Sequence, residues 1–280
     1  MKNKPIKYLD INDIHKIETK LIEVCDKICR ENNINYTLVC GSALGAVRHK
    51  GPIPWDTDAD ITIAYGDRER FIGVMEKNMP SWCILDKPDV KSNNHSPFPK
   101  FYVKGIDPII VHVDIFTYVG LPDSRDEQIK YSRKSDFLNK IFFYKKCKVL
   151  TEYYQSRNVF FSVANKLKRF FMKIALLPVS HKMLLSSVNK HYLKYDSKES
   201  KYVMNPAGHY GMENVLDRRF YDETIRTEYD SIIVNIPKDY DEYLKHYYKE
   251  WRKIPPSKIC DKGLNTKVPV FEGVDLSFAY

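Results

Sequence analysis

The sequence predicts an α/β (α+β) protein: a mixed sheet flanked by helices, with a basic helical insertion. Three observations lead there. Helical and strand periodicities alternate over residues 11–119, as layered α/β packing requires. Two short apolar strands, "DADITI" (58–63) and "IIVHVDIFTYV" (109–119), each carry aspartate on one face. Between 126 and 200 the pattern changes to helix-spaced apolar residues interleaved with lysine and arginine. The chain thus divides into an α/β core over 1–125, a basic helical segment over 126–200, and a part over 201–280 that completes the core and the substrate site.

Each element follows from its residues. In 11–31, Ile14, Ile17, Leu21, Val24 and Ile28 recur at spacings of three and four, the mark of an amphipathic helix. Asp10 is its expected N-cap and Asn32-Asn33 its stop. "NYTLVC" (35–40) alternates and is rich in strand formers. Gly41-Ser42 then turn the chain into a short helix over 43–49. Pro52 and Pro54 end it, since neither can donate a backbone hydrogen bond. In the strand 58–63, a period of two sets Asp58, Asp60 and Thr62 on one face and Ala59, Ile61 and Ile63 on the other. A helix over 67–79 turns Phe71, Val74 and Met75 inward, and 83–99, rich in Asn, Pro, Ser and Asp, reads as a loop. "KFYVK" (100–104) and 109–119 form a hairpin around Gly105 to Pro108. Later, "NPAGHYG" (205–211) signals a turn, "SIIVNI" (231–236) a strand, and 239–251 a last helix stopped by Pro255-Pro256.

Hydrophobic residues make up 43% of the 280 positions and aromatics 13%, which supports a substantial core and excludes a disordered chain. No apolar h-region opens the sequence and no apolar run is long enough to span a membrane. The cysteines at 25, 29, 40, 83, 147 and 260 form no paired CxxC motif, so a cytoplasmic protein with reduced thiols is expected. The net charge of +9 is localised: residues 126–200 hold 16 Lys/Arg and 6 Asp/Glu, a net of +10 against −1 for the rest. That points to a localised anionic partner. Within "NVFFSVANKLKRFFMKIALLPVS" (158–180), Phe160, Phe161, Val163, Leu167, Phe170, Phe171, Ile174 and Leu177 alternate with Lys166, Lys168, Arg169 and Lys173. Two readings stay open. The segment docks on an anionic membrane surface at its inner face, or it packs its apolar stripe on the core and leaves the lysines in water.

The chemistry concentrates in "GSALGAVRHKGPIPWDTDADI" (41–61). Carboxylates on alternate strand positions project side by side and repel unless something neutralises them. Hard oxygen donors favour Mg²⁺ or Mn²⁺, so Asp58 and Asp60 form a metal scaffold, joined by Asp114 if the two strands are neighbours. One or two such ions can clamp the phosphates of a nucleotide. A Gly41-Ser42 turn at a helix start offers amides and a hydroxyl to phosphate, and Arg48, His49 and Lys50 add donors. Singly, each feature is a surface acid pair, a turn or an exposed helix end; the combination within about twenty residues carries the functional reading.

This stretch closely resembles the signature of the LicD/fukutin family, a branch of the nucleotidyltransferase-fold superfamily. Gly41-Ser42, Asp58-x-Asp60 and Asp114 match the superfamily pattern, and Leu44 to Ile61 matches the family's own "LGAVRHKGxIPWDxDxDI" nearly throughout. Weaker likeness extends to "FPKFY" (98–102), "VDIF" (113–116) and the tyrosine- and proline-marked stretch 237–256. Thr57 and Ala59 stand where family members often have Asp and Ile, and Ser42 replaces the more usual Thr or Gly. The resemblance implies a nucleotidyltransferase-like catalytic core. It also implies metal-dependent transfer of a phospho-substituent from a CDP-linked donor onto a hydroxyl of a cell-surface or lipid-linked glycan. CDP-choline is the favoured donor, with CMP released; ribitol, ethanolamine and glycerol donors are alternatives. On this reading Asp58, Asp60 and Asp114 hold the metal, Gly41 and Ser42 cradle the nucleotide phosphates, and Arg48 and Lys100 bind leaving-group charge. Asp56 acts on the acceptor hydroxyl or the metals, or is a turn residue; His49 contacts the donor or is an exposed helix end. Trp55, Tyr210, Tyr248 and Trp251 are candidates to receive a quaternary ammonium, or are ordinary core and rim aromatics. Nucleotidyl transfer to a small molecule, with release of pyrophosphate, is a rival of the same fold. A nucleic-acid binder would leave the acids at 56–60 unexplained, so no nucleic-acid partner is expected.

Overall fold

The computed structural model describes residues 5–89, 96–149, 159–208, 211–256, 264 and 266–279, with only the backbone described for 159–161. Strand β1 (Lys7–Leu9) precedes helix α1 (Ile11–Glu31). Asp10 caps α1: its carboxylate accepts the Asn12 and Asp13 N–H groups, and Asp13 accepts the Asp10 N–H in return, a capping box. The apolar stripe expected of this helix is real: Ile14, Ile17, Leu21 and Ile28 are buried in the main core.

The chain then runs through β2 (Tyr36–Leu38), α2 (Cys40–Arg48), β3 (Ala59–Ala64), α3 (Arg68–Asn78), β4 (Cys83–Asp86), β5 (Lys100–Val103) and β6 (Val113–Leu121). These strands form one mixed sheet in the order β2-β3-β6-β5-β4, in which only β3 and β6 are parallel. β3 is buried on both faces, so its polar Asp60 and Thr62 are covered as well as its apolar residues. Residues 83–86 form a strand, where the composition of 83–99 suggested a loop. Cys83 and Leu85 point inward, and β5 supplies the ladder partners. β6 starts at Val113 instead of 109, because Asp107 O accepts the Ile110 and Val111 N–H groups in a turn. β2 is shorter than "NYTLVC", because Cys40 adopts φ 50° and starts the next helix.

The basic segment is helical, as expected: α4 (Arg125–Lys146), α5 (Val159–Ala175) and α6 (His181–Tyr192). α4 and α6 close a second core around Tyr131, Leu138, Phe142, Leu184 and Tyr192, seated against Val119 and Leu121 at the far end of β6. There β7 (Tyr202–Met204) pairs with β6, and β8 (Val215–Asp217) pairs with β7. After α7 (Arg219–Asp222), strands β9 (Thr224–Tyr229) and β10 (Ile232–Pro237) make a hairpin, and α8 (Tyr240–Tyr248) follows. β11 (Val268–Val270) pairs with β1. Asp26 ties α1 to β2 and β9. It accepts the Tyr36 hydroxyl at 2.7 Å and pairs with Arg226 and Arg30. Among the described residues no helix is long and apolar enough to cross a membrane.

His191 makes the helical insertion acid-sensitive. It is buried against Tyr131, ring centroids 4.1 Å apart, with Ser135 Oγ 3.1 Å from Nε2. Burial first, and then the charges of Lys134 and Lys194, depress its pKa from 6.5 to about 4. The stability of the neutral ring is present above pH 6.5 and is lost as pH falls toward about 4, because the unfolded chain takes the proton first. Melting temperature is expected to fall across that window, and His191→Gln is expected to flatten the dependence. An unchanged slope in the variant would assign the effect elsewhere.

Candidate active site

The site gathers where α2 meets the edges of β3 and β6. Gly41 and Ser42 do not form a free turn; they lie in the first turn of α2, entered from extended Val39 and the positive φ of Cys40. Two bonds fix this entry. Asp60 N–H donates to Ser42 Oγ at 2.8 Å, and Cys40 N–H donates to the Tyr243 hydroxyl at 3.1 Å. The Ser42 oxygen, expected at a phosphate, is thus used to hold α2 against β3.

The parallel register places Asp60 directly beside Asp114, and the antiparallel register places Lys100 on the other side of Asp114. Both aspartates are buried. Asp58 stands just ahead of β3 and is exposed. Asp56 belongs with them: it shares a hydrogen bond with Asp58, and its carboxylate packs on Gly41. A methyl group on Gly41 would sit 2.7 Å from Asp56 Oδ2, so only glycine leaves that oxygen where it is. Gly41→Ala is expected to displace the carboxylate and lower turnover by about 10- to 100-fold, with little change in melting temperature. Wild-type turnover by this variant would remove Asp56 from the chemistry.

Electrostatics follow from this crowding. Burial, the Asp58 charge and the hydrogen bond to Asp58 push Asp56 up to about 7. Burial and the three neighbouring aspartates push Asp60 well above the usual carboxylate range, against the single opposing charge of Lys100. Asp114 goes the other way. Burial would raise it, but hydrogen bonding to His112 and the charges of His112 and Lys100 outweigh that. Lys100 Nζ donates to Asp114 Oδ1 at 2.6 Å and lies 2.8 Å from His112 Nε2, itself 3.2 Å from the same carboxylate oxygen. That ring nitrogen cannot accept from Lys100 and donate to Asp114 at once; Lys100 donates to Asp114 in either arrangement.

Two further groups were not singled out from the sequence. Glu18 projects from the apolar side of α1, fully buried, with Oε1 lacking a hydrogen-bond partner; burial and Asp58, Asp56 and Asp60 raise its pKa strongly. Its signal was an acid amid Ile14, Ile17, Leu21 and Ile22 on one helical stripe. His15, one turn earlier, places Nε2 2.8 Å from the Asp56 carbonyl oxygen and braces that loop.

Beside the acids opens a cleft of about 280 Å³, lined by Gly41, Arg48, Trp55, Asp56, Tyr248 and Trp251 among others. Arg48 donates to the Trp251 carbonyl at 2.9 Å and the Lys253 carbonyl at 3.2 Å, and to His49 Nε2 at 2.9 Å. His49 meets Trp55 edge-on, ring centroids 5.7 Å apart, so it is braced within the wall and is not a loose helix end. Trp251 is buried, donates to Asp241, and carries the Arg252 guanidinium 4.2 Å above its ring. One of its faces is therefore taken, and the Arg48 guanidinium lies 5.9 Å from the Trp55 ring centroid, so both tryptophans already carry a cation. Tyr210 lies outside the described residues.

Among the described residues, no three acid, histidine or cysteine side chains are already gathered as a metal cage. The donor set nevertheless fits a hard divalent cation. It is all oxygen, and Asp56, Asp58, Asp60 and Asp114 bring more negative charge than Lys100 offsets, an excess visible in the raised Asp56 and Asp60.

An aspartate-bearing mixed sheet with a helix start and Arg48 beside it can set a divalent ion against a phosphate. Comparison with known proteins gives the chain's relatives. Residues 33–148 match the LicD/FKTN/FKRP nucleotidyltransferase domain. The chain is 22% identical over 265 residues to the lipopolysaccharide cholinephosphotransferase LicD of Haemophilus influenzae, covering 90% of this chain and 95% of that protein. Shorter matches reach uncharacterised proteins of Rickettsia typhi (42% over 52 residues; 19% of this chain, 17% of that protein) and Rickettsia prowazekii (44% over 48 residues; 17% and 18%). The chain is thus similar to the LicD/FKTN/FKRP family over residues 33–148, and to one lipopolysaccharide cholinephosphotransferase over most of its length.

Proposed function

We propose that the protein transfers phosphocholine from CDP-choline to a hydroxyl of a cell-surface or lipid-linked glycan and releases CMP. The observation that carries this reading is the parallel pairing of Asp60 with Asp114 beside a cleft walled by Arg48, Trp55 and Asp56. The likeness to a lipopolysaccharide cholinephosphotransferase over 90% of the chain supports the choice of transferred group.

In this reading Asp58, Asp60 and Asp114 hold one or two Mg²⁺ or Mn²⁺ ions, which supply charge neutralisation to the donor diphosphate. His112 and Lys100 keep Asp114 ionised and oriented for that role. The start of α2 presents its free N–H groups, at Gly41, to the nucleotide phosphates. Arg48, held by two backbone carbonyls, sets a fixed positive charge on the cleft wall where the leaving CMP gains charge. Asp56 takes the proton of the acceptor hydroxyl. The acceptor oxygen bonds to the donor's β-phosphorus, the bond to the bridging oxygen breaks, and its electron pair leaves with CMP. Tyr248, on the cleft wall, offers an aromatic face to the trimethylammonium group.

A donor screen tests the reading. CDP-choline, CDP-ethanolamine, CDP-ribitol and CDP-glycerol are each incubated with protein, Mg²⁺ and a glycan extract, and CMP is followed. CDP-choline is expected to give the fastest release, abolished by chelation. Silence from every CDP donor, or pyrophosphate from a nucleoside triphosphate instead, would overturn it.

A further inference from the structure

Helix α5 is mounted with its apolar side outward. Val163, Leu167, Phe170, Phe171 and Ile174, which follow one another at helical spacing on a single face, and Leu177 in the turn just beyond, are 48–73% exposed. The polar side faces the protein. Arg169 is 6% exposed and its Nε donates to the Val149 carbonyl at 3.2 Å. Lys173 Nζ donates to the Lys145 carbonyl at 3.3 Å, and Lys145 Nζ returns a bond to the Leu176 carbonyl at 2.7 Å. Of the two readings left open by the sequence, packing of this stripe on the core does not hold for its described members; the side chains of Phe160 and Phe161 lie outside the described residues. Helices that merely cover a core do the opposite, burying their apolar side and wetting their charges. An exposed apolar row of this size marks an interaction surface.

We propose that this face of α5 docks in the plane of an anionic bilayer surface. The commitment to lipid rests on charge. Residues 126–200 carry a net of +10 while the rest of the chain is −1, so the surface that presents the apolar row is the strongly basic part of the molecule. Lys168, Lys148 and Lys182 are exposed on and around the helix. Anionic headgroups complement that charge, whereas a second copy of the chain would bring another +10 against it. Apolar side chains that enter the headgroup boundary while lysines remain beside phosphates are the arrangement of a surface-lying helix. The helix is not a spanning one: among the described residues none has the length and apolarity to cross. This inference stands apart from the identity of the donor, since it uses no residue of the acid site.

The test uses the full chain and sedimentation with vesicles, either phosphatidylcholine alone or with about 30% phosphatidylglycerol. Binding to the anionic vesicles is expected to exceed that to neutral ones by about tenfold or more, and to weaken as salt rises. Phe170→Ser with Phe171→Ser is expected to lower anionic-vesicle binding by about tenfold. The pair's melting temperature should change little, because Phe170 is 49% and Phe171 63% exposed. Light scattering on the same samples reads the alternative occupant. Absence of vesicle binding, equal binding by the double variant, or a dimer that the double variant dissociates would each overturn the proposal.

Discussion

Asp60→Asn is expected to lower metal-dependent CMP release by on the order of 10³-fold or more and to leave the fold intact. The reason for both halves is the same. Asp60 is buried among Asp58, Asp114 and Asp56, and those neighbours together with burial raise its pKa far above the usual range. Such a carboxyl is held at a cost to stability, which the proposed cation would offset. The amide keeps the shape and the backbone bond to Ser42 but offers no full charge to the cation. Melting temperature should therefore hold or rise while turnover collapses. CMP release and thermal melts on the same preparation decide the matter. Full turnover by the folded variant would exclude the metal role, and a melting temperature lower by more than about 4 °C would assign the loss to folding instead.

The second large effect concerns Gly45, in the middle of α2. By helix propensity alone alanine would be preferred there by about 1 kcal/mol. A methyl group at this position, however, would lie 2.5 Å from the Gly51 carbonyl oxygen and 3.3 Å from the Ile53 nitrogen. Backbone atoms cannot swing aside as a side chain does, so the 51–56 loop has to move. Gly45→Ala is expected to destabilise by about 1–3 kcal/mol, the range for overpacking, and to lower turnover because that loop carries Trp55 and Asp56. Denaturant unfolding of the variant measures the first and the CMP assay the second. A variant more stable than the wild type would show that the loop has room to yield.

Much of this was legible in the residues. The apolar stripe of α1, its Asp10 cap, and the two aspartate-bearing strands follow from local pattern, because cap chemistry and a period of two or 3.6 act within a few residues. Other features had weak local signals. Residues 83–86 are only four long, and their alternation was hidden in a stretch whose composition suggests a loop. The pairing of β1 with β11 joins the two ends of the described chain, which no local pattern reports. Gly41-Ser42 looked like a turn because small residues turn chains. It is a helix start because Cys40 takes the positive φ instead.

The sequence by itself determined which residues share a face: Asp58 with Asp60 on one stretch, Phe170 with Ile174 on one helix, Glu18 within an apolar stripe. Only the tertiary structure decided what those faces meet. It set Asp60 beside Asp114, brought Asp56 into the acid cluster, turned Glu18 toward it, and left the apolar side of α5 in solvent. Periodicity is a property of one segment's backbone geometry. The partner of a face is chosen by packing across long sequence separations, where burial and charge are balanced over the whole molecule.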